Sequence, residues 1–320
     1  MNKKRVFVTR RIPGKAVEML KEHFNVIVNE EDRPLTRDEL LKGVSDVHGV
    51  LCQLTDRIDD EVFEAAKSAE IFANYAVGYN NIDIKAAEKR KIIITNTPDV
   101  LTNTTAELAW ALLFAVSRRI VEADKYTREG KFKMWKPELL LGTDISGKTL
   151  GIIGAGRIGK AFAAMSKGFN MKIIYYNRSR DEEFEKELGA TYVSMEELIK
   201  EADVVSLHVP LTQDTKYLLG EKELNSMKKT AILINTARGP VVDEKALVKA
   251  LKNKTIAGAG LDVFENEPEL EEGLIELDNV VLVPHIGSAT KETREKMGIM
   301  ATENIIRVLK GGEPINPILK

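Results

Sequence analysis

The stretch from Lys148 to Gly159 constrains the fold of this chain more than any other. It begins with an apolar run, Leu150–Ile153, which is typical of a buried strand, and helix-forming residues follow from Lys160 onward. Between them lies the pattern Gly-x-Gly-x-x-Gly, whose glycines permit a tight turn, the close approach of a pyrophosphate, and close packing of helix on strand. The N-terminus of the helix offers unpaired N–H groups to phosphate. The predicted dinucleotide contacts of this turn are Gly154, Ala155, Gly156, Arg157, Ile158 and Gly159.

Short β-branched strands alternate with amphipathic helices on both sides of the glycine turn, which predicts an α/β fold with parallel sheets. The strand signals before the turn lie near residues 5–9, 25–28, 49–51, 71–74 and 91–95. A length of 320 residues favours two domains. We expect two doubly wound parallel-sheet domains: a Rossmann cofactor domain over residues 100–287, inserted in a flavodoxin-like substrate domain over 1–99 and 288–320. The pattern from Asn103 to Glu129 predicts one long helix, and residues 291–309 predict a helix that returns to the first domain.

Composition and charge exclude several classes of function. The net charge is −2 without a basic tail, so nothing indicates binding to nucleic acid or to an anionic membrane. No apolar run approaches the ~20 residues of a membrane span, and the N-terminus enters a strand signal without the apolar segment of a secretion signal. Cys52 is the single cysteine, so no internal disulfide can form, and we expect a cytoplasmic protein. No residue pattern indicates a metal site.

The end of the second strand of the cofactor domain bears on which dinucleotide binds. An acid about 20 residues after the glycines would bind the adenosine ribose of NAD, but Asn177 stands there, followed by Arg178, Ser179 and Arg180. Without the carboxylate, repulsion of a 2′-phosphate is removed, and a guanidinium binds phosphate through two parallel hydrogen bonds. The alternative is a solvated basic turn, in which the acids at 181–183 pair with the arginines. We expect these four residues to contact the cofactor and NADPH to be preferred, with NAD possible.

Four chemistry-bearing residues follow apolar strands in the second half of the chain. His208 comes after Val-Val-Ser-Leu, and His285 after Val-Val-Leu-Val-Pro. Arg238 follows the run Leu-Ile-Asn-Thr-Ala, and Glu267 lies in Phe-Glu-Asn-Glu-Pro after a further strand. In open parallel sheets, ligands bind outside the carboxyl ends of the strands, so these side chains are candidates for one site.

These residue types suit hydride transfer between a nicotinamide and a ketone. A histidine, with an unperturbed pKa of ~6.5, can donate a proton to the developing alkoxide. A neighbouring carboxylate would raise that pKa and fix the ring, and the planar fork of an arginine matches a substrate carboxylate. The residues alone leave open which of the two strand-end histidines donates the proton.

The chain closely resembles the D-isomer-specific 2-hydroxyacid dehydrogenases, and within them the glyoxylate/hydroxypyruvate reductases. The resemblance runs nearly end to end. Its most specific portions are Gly151–Gly159, His208–Thr212 with Met227–Pro240, Gly260–Pro268 and Pro284–Thr290. The similarity to the reductases rests on Trp135–Asp144 and on the Asn-Arg-Ser-Arg turn.

The resemblance implies that Arg238 binds the substrate carboxylate and carbonyl, that His285 is the acid/base, and that Glu267 pairs with it. It further implies a substrate loop over Asn74–Asp83, and a homodimer built around the long helix and the segment near Trp135. The implied substrate contacts are Leu54, the backbone N–H groups of Val77 and Gly78, Trp135 of a partner subunit, Arg238 and His285. The implied cofactor contacts outside the two turns are Thr105, His208, Val209, Pro210, Thr215, Thr236, Ala237, Arg238, Asp262, His285 and Gly287.

The expected function is therefore NAD(P)H-dependent reduction of a small 2-oxo acid, glyoxylate to glycolate or hydroxypyruvate to D-glycerate. Two alternatives stay open. One is a D-3-phosphoglycerate or D-lactate dehydrogenase, since pocket size depends on loops such as Leu51–Arg57. The other is a non-catalytic nucleotide-sensing protein similar to the corepressors that share this scaffold.

Overall fold

The structure is a computed structural model that describes residues 3–318. The strands are β1 (Arg5–Val8), β2 (Asn25–Val28), β3 (Gly49–Cys52), β4 (Ile71–Asn74), β5 (Ile93–Thr95), β6 (Thr149–Ile153), β7 (Lys172–Tyr176), β8 (Thr191–Tyr192), β9 (Val204–Leu207), β10 (Ile232–Asn235), β11 (Gly258–Leu261) and β12 (Val280–Leu282). The α-helices are α1 (Ala16–His23), α2 (Arg37–Val44), α3 (Asp60–Ala65), α4 (Ile84–Lys89), α5 (Thr102–Ser117), α6 (Ile120–Arg128), α7 (Arg157–Met165), α8 (Glu182–Leu188), α9 (Met195–Glu201), α10 (Glu221–Ser226), α11 (Glu244–Lys252) and α12 (Lys291–Leu309).

The chain forms two compact units, each an α/β unit with a parallel sheet, which confirms the predicted fold class. The first unit comprises the described residues up to Leu101 together with those from Ser288 onward, and the second unit comprises Thr102–Gly287. Within residues 3–318 no helix is long and apolar enough to cross a membrane.

The first unit has the strand order β2-β1-β3-β4-β5, the flavodoxin-like order. Its central strands are buried on both faces, with Val6, Val50 and Phe72 at 5% exposure or less. The tail helix α12 packs on α1, β3 and β4, so residues far apart in the chain form this unit. Thr290 caps that helix by accepting the N–H of Thr293.

The second unit has the strand order β12-β11-β10-β9-β6-β7-β8. The chain runs outward from β6 through β7 to β8, and then returns to place β9 on the other side of β6. The strand order therefore reverses between β6 and β9, and such a switch point is where open sheets of this kind bind dinucleotides. The glycine turn at the end of β6 opens directly onto it.

The prediction of one long helix from Asn103 to Glu129 is wrong. The segment forms α5 and α6, because Arg119 between them adopts a left-handed conformation with φ of 53°. The returning chain stabilises the break. The N–H of Thr143 donates to the Ser117 carbonyl at 2.8 Å, and a Cβ at Gly142 would lie 2.3 Å from that same oxygen.

Candidate active site

The surroundings of each glycine in the turn after β6 explain, in a different way for each, why a glycine stands there. Gly154 has a φ of 95°, and a Cβ there would lie 2.8 Å from the backbone nitrogen of Val209. A Cβ at Gly159 would lie 2.3 Å from the Gly154 carbonyl oxygen, so only glycine lets α7 start this close to the strand. A Cβ at Gly156 would have no protein atom within 4 Å. The room above Gly156 therefore fits a pyrophosphate at the N-terminus of α7.

Other predicted cofactor residues surround this turn within the second unit. The hydroxyl of Thr236 is buried and has no hydrogen-bond partner in the described chain, so it is open to a ligand. A Cβ at Gly287 would lie 3.0 Å from an oxygen of Asp262 and 3.3 Å from the methyl group of Thr105, so these three positions converge. The loop after β9 is braced by Thr215, whose hydroxyl donates to the Pro210 carbonyl at 2.6 Å. The predicted residues carried by that loop and by the end of β10 are His208, Val209, Pro210 and Ala237. These residues fit a nicotinamide dinucleotide.

In the turn after β7, the side chain of Asn177 is hydrogen-bonded to the backbone of the glycine turn. Asn177 Oδ1 accepts the N–H of Ala155 at 2.7 Å. Arg178 and Ser179 are exposed, and no side chain within residues 3–318 pairs with Arg178. Arg180 donates three hydrogen bonds to Glu185, two from Nε at 2.8 and 3.1 Å and one from a terminal nitrogen at 2.6 Å.

The alternative, in which the acids at 181–183 pair with these arginines, is not what the structure shows. Asp181 accepts the N–H of Phe184 as the cap of α8, and it lies 2.7 Å from the ammonium group of Lys160. The partner of Arg180 is Glu185, one helical turn further on, where the Tyr175 hydroxyl also donates to it at 2.8 Å.

Arg238 lies beyond β10 in a closely packed turn. Asn235 is buried, and its side chain binds both the carbonyl of Arg238 and the N–H of Ala237, each at 3.0 Å. A Cβ at Gly239 would lie 1.9 Å from the carbonyl carbon of Phe264, so the turn after β10 packs against the loop after β11. Burial lowers the pKa of the Arg238 guanidinium, and the nearby Glu267 opposes that shift. A guanidinium with so little solvation gains from an anionic ligand.

His285 and Glu267 form a hydrogen-bonded pair beyond β12 and β11. Nδ1 of His285 lies 2.8 Å from Oε2 of Glu267, and Oε1 of Glu267 accepts the N–H of Phe264 at 3.0 Å. Burial of Glu267 opposes its ionisation, but the hydrogen bond and the charge of His285 outweigh burial and hold the pKa of the carboxyl below its usual value. The pair thus joins an ionised carboxylate to an imidazole.

Asp262 holds the backbone next to His285. Its two carboxylate oxygens accept the N–H groups of Ile286 at 2.6 Å and Gly287 at 2.8 Å. Burial raises the pKa of Asp262 to about 6, although these N–H groups and the charge of His285 act in the opposite direction. His285 itself has a φ of 53°, so its loop adopts a left-handed turn that Asp262 stabilises.

His208 occupies a different environment. Its Nε2 lies 2.9 Å from the Ser206 hydroxyl, and its ring packs on Phe162 with centroids 5.4 Å apart. Burial lowers the pKa of His208 to about 3, so the ring stays neutral near pH 7. A ring that does not take up a proton near pH 7 is a poor proton donor, and the geometry favours His285.

The predicted substrate residues of the first unit lie in two loops. Leu54 belongs to the loop after β3, while Val77 and Gly78 belong to the loop after β4. The side-chain NH₂ of Asn81 joins them by donating to the carbonyls of Gln53 at 3.0 Å and Asp56 at 3.1 Å.

Trp135 belongs to the second unit and is 77% exposed. It lies in the segment that follows α6, in which lysines alternate with apolar residues, and no residue of α6 is buried. The exposed apolar residues of this region are Ile120, Val121, Phe132, Met134, Trp135 and Leu141.

The sequence interpretation missed the residues that hold the site in place. Asn235 and Glu244 are both buried, and Glu244 accepts the N–H of Glu265 at 2.7 Å. A polar residue at the end of an apolar strand was the available signal for Asn235. Glu244 had none, because an acid in the first turn of a helix is common.

Comparisons with known proteins agree with this geometry. Residues 110–287 match the family described as D-isomer specific 2-hydroxyacid dehydrogenase, NAD binding domain. A glyoxylate reductase of Thermococcus kodakarensis is 55% identical over 97% of this chain and 94% of its own length. The chain belongs to the D-isomer specific 2-hydroxyacid dehydrogenases.

Solved structures of similar proteins extend the comparison. A protein of Thermus thermophilus is 48% identical, with a TM-score of 0.94 over 98% of this chain and all of its own. An NADPH-dependent glyoxylate/hydroxypyruvate reductase of Sinorhizobium meliloti, in complex with NADP and malonate, is 35% identical. Its TM-score is 0.88 over 99% of this chain and 97% of its own. As a dehydrogenase of this family, the chain uses a nicotinamide cofactor.

Proposed function

We propose that this dehydrogenase reduces glyoxylate to glycolate and hydroxypyruvate to D-glycerate, with His285 as the proton donor. The observation that carries the proposal is the 2.8 Å contact between His285 and Glu267, on strand ends next to that of Arg238. β10, β11 and β12 are consecutive in the sheet, so a cation, a carboxylate and an imidazole follow neighbouring strands. Relatives that are 54% and 55% identical to this chain are glyoxylate reductases, which supports the same substrate class.

The side chains divide the reaction between them. Arg238 binds and orients the substrate carboxylate and carbonyl, and the N–H groups of Val77 and Gly78 also bind the carboxylate. The reduced nicotinamide, when bound, supplies the hydride to the carbonyl carbon. Because Nδ1 of His285 is bonded to Glu267, Nε2 is the nitrogen that donates a proton to the carbonyl oxygen. Glu267 stabilises the charged imidazole before that transfer.

NADPH is the proposed preferred cofactor, with NADH usable. Two features support it: Arg178 is exposed without a partner among residues 3–318, and Asn177 uses its amide oxygen on the backbone of the glycine turn. Neither repels a 2′-phosphate. Arg180 can exchange Glu185 for that phosphate, since its own side chain is 60% exposed just before α8 begins. The similar Sinorhizobium meliloti reductase is NADPH-dependent.

A second copy of this chain is the proposed partner, and the cytoplasm is the proposed location. The exposed apolar residues around Trp135 support a homodimer, because exposed apolar surface of this kind marks protein interfaces. The one cysteine is buried and free, as expected in a reducing compartment. The first unit is the proposed substrate domain and the second the proposed cofactor domain.

One assay tests the function. Nicotinamide absorbance is followed with NADPH and with NADH against glyoxylate, hydroxypyruvate, pyruvate and phosphohydroxypyruvate. The proposal expects the largest kcat/KM for NADPH with glyoxylate or hydroxypyruvate. Preference for pyruvate or phosphohydroxypyruvate would assign a lactate or phosphoglycerate dehydrogenase instead. Absence of turnover with every acid would support the nucleotide-sensing alternative.

A further inference from the structure

The loop after β4 has two consecutive carbonyl groups fixed on one side. The N–H of Thr97 donates to the carbonyl of Ala76 at 2.9 Å. The side-chain NH₂ of Asn96 donates to the carbonyl of Val77 at 2.8 Å. The segment after β5 therefore holds both carbonyls from the same direction.

Peptide geometry then determines where two N–H groups point. The peptides that join Ala76 to Val77 and Val77 to Gly78 are trans, and a trans peptide directs its N–H opposite to its C=O. The N–H groups of Val77 and Gly78 therefore both point away from Asn96 and Thr97. Neither has a hydrogen-bond partner within the described part of the chain. Two neighbouring N–H groups directed the same way form a binding site for an anion.

The peptide group that follows Gly78 is also held by a side-chain amide, that of Asn74. Asn74 is fully buried at the end of β4, and its side-chain NH₂ donates to the carbonyl of Gly78 at 2.8 Å. Its Oδ1 accepts the side-chain NH₂ of Asn81 at 3.3 Å. Asn74 is thus part of the core of the loop, whereas Asn96 is half-buried and makes one side-chain bond, to Val77. Asn96 is therefore the position where the direction of an N–H can be changed with the smallest effect on packing.

We propose that Asn96 is a positioning residue for the carboxylate of the 2-oxo acid, because its bond to the Val77 carbonyl keeps the Gly78 N–H directed at the substrate. The inference rests on the proposed function, which assigns that carboxylate to the N–H groups of Val77 and Gly78. Asn96 itself touches no reacting atom. Its effect is confined to the affinity for the acid, since hydride and proton transfer depend on residues of the second unit.

The test compares Asn96→Ala and Asn96→Asp with wild type in the full chain. Asn96→Ala releases the Val77 carbonyl and is expected to raise the KM for glyoxylate about tenfold, with kcat and the Kd for NADPH little changed. Asn96→Asp keeps the shape but places a charged acceptor beside that carbonyl, so a larger rise in KM is expected. Asn279→Ala is the matched control. That side chain also donates to backbone carbonyls, of Leu251 and Ala257, but in the second unit outside the site.

Calorimetric titration of each variant with oxalate, in the presence of NADP, separates this inference from the proposed function. Weaker oxalate binding in Asn96→Ala than in Asn279→Ala supports the positioning role, even if wild type fails to reduce glyoxylate and the proposed function falls. Unchanged KM and oxalate affinity in Asn96→Ala would overturn the role. An equal rise in KM, together with equal falls in kcat and NADPH affinity, in both alanine variants would also overturn it. That pattern would indicate a general loss of stability.

Discussion

Nδ1 of His285 lies 2.8 Å from Oε2 of Glu267, and this contact joins the ends of two neighbouring strands of the second unit. The other oxygen of Glu267 is held by the N–H of Phe264, so the carboxylate cannot turn away from the ring. The contact fixes both the orientation of the imidazole and the nitrogen that is left to face a substrate.

Removal of the negative charge beside the ring tests the role of Glu267. Glu267→Gln keeps an oxygen that can accept from Nδ1 but makes the charged imidazole less stable. We expect kcat/KM for glyoxylate to fall about ten- to a hundredfold at neutral pH. Steady-state rates with glyoxylate measure the effect. Glu269→Gln on the same loop is the control, and an unchanged kcat/KM in Glu267→Gln would contradict the pairing.

A substitution in the glycine turn can weaken cofactor binding without a change in stability. A Cβ at Gly156 meets no protein atom within 4 Å, so Gly156→Ala should keep the melting temperature of the cofactor-free protein. The same methyl group occupies the space of the pyrophosphate, so the Kd for NADPH should rise strongly. Thermal melts and fluorescence titrations measure the two quantities. Unchanged NADPH affinity would mean that the phosphates lie elsewhere.

Gly159→Ala should behave differently from Gly156→Ala. Its Cβ would lie 2.3 Å from the Gly154 carbonyl oxygen, so the backbone must move, at a cost of about 1–3 kcal/mol in the free energy of unfolding. We expect a lower melting temperature without cofactor as well as weaker binding. Gly168→Ala is the control, because a Cβ there meets nothing within 4 Å and the site is remote from the turn. Equal melting temperatures for all three variants would contradict the packing argument.

Cofactor preference is tested by removing both exposed guanidinium groups of the turn after β7. The double variant Arg178→Ala, Arg180→Ala should raise the KM for NADPH tenfold or more, because charge-assisted hydrogen bonds contribute about 1.5–3 kcal/mol each. The KM for NADH should change little. Steady-state rates with each cofactor at saturating glyoxylate measure the ratio. An equal rise in the KM for NADH would show that the arginines do not bind the 2′-phosphate.

The sequence predicted those parts of the molecule whose signals are local. The glycine turn and the tail helix Lys291–Leu309 have self-contained patterns, and the structure places both as expected. The break at Arg119 was missed because α5 and α6 are both helical by composition. Only the distant chain at Gly142 and Thr143 shows why the helix must end.

Side-chain partners were harder to predict than strand ends. Apolar strands placed Arg238, Glu267 and His285 at one edge of a sheet, since parallel strands share their carboxyl ends. The partner of Arg180 depends on the path of α8, so adjacent acids were a poor guide. Glu244 lies buried in a tertiary contact that no short-range pattern reveals.

The buried carboxyl of Glu244 should make stability depend on pH. Burial raises the pKa of Glu244 from 4.5 to about 7, and repulsion from the charges of Glu265 and Glu271 acts in the same direction. The hydrogen bond that Glu244 accepts from the N–H of Glu265 acts in the opposite direction. A raised folded-state pKa stabilises the protein at pH below 4.5, and this contribution is lost as pH rises through about 7. Glutamine cannot ionise, so Glu244→Gln removes this loss of stability at high pH. It keeps the side-chain oxygen that accepts the N–H of Glu265. We therefore expect a stability gain of about 3 kcal/mol at about pH 8 and little gain at about pH 4, measured by calorimetric melts. An equal gain at both pH values would contradict burial of an ionisable group here.

The central claim is that His285 donates the proton in a nicotinamide-dependent reduction. The most direct measurement is kcat for glyoxylate reduction by His285→Ala at saturating NADPH, with the Kd for NADPH measured in parallel. His23→Ala, which alters a half-buried histidine of the first unit, is the control. We predict that His285→Ala lowers kcat by about two to four orders of magnitude with a far smaller change in the Kd, while His23→Ala keeps the wild-type kcat. A near wild-type kcat in His285→Ala would contradict the claim.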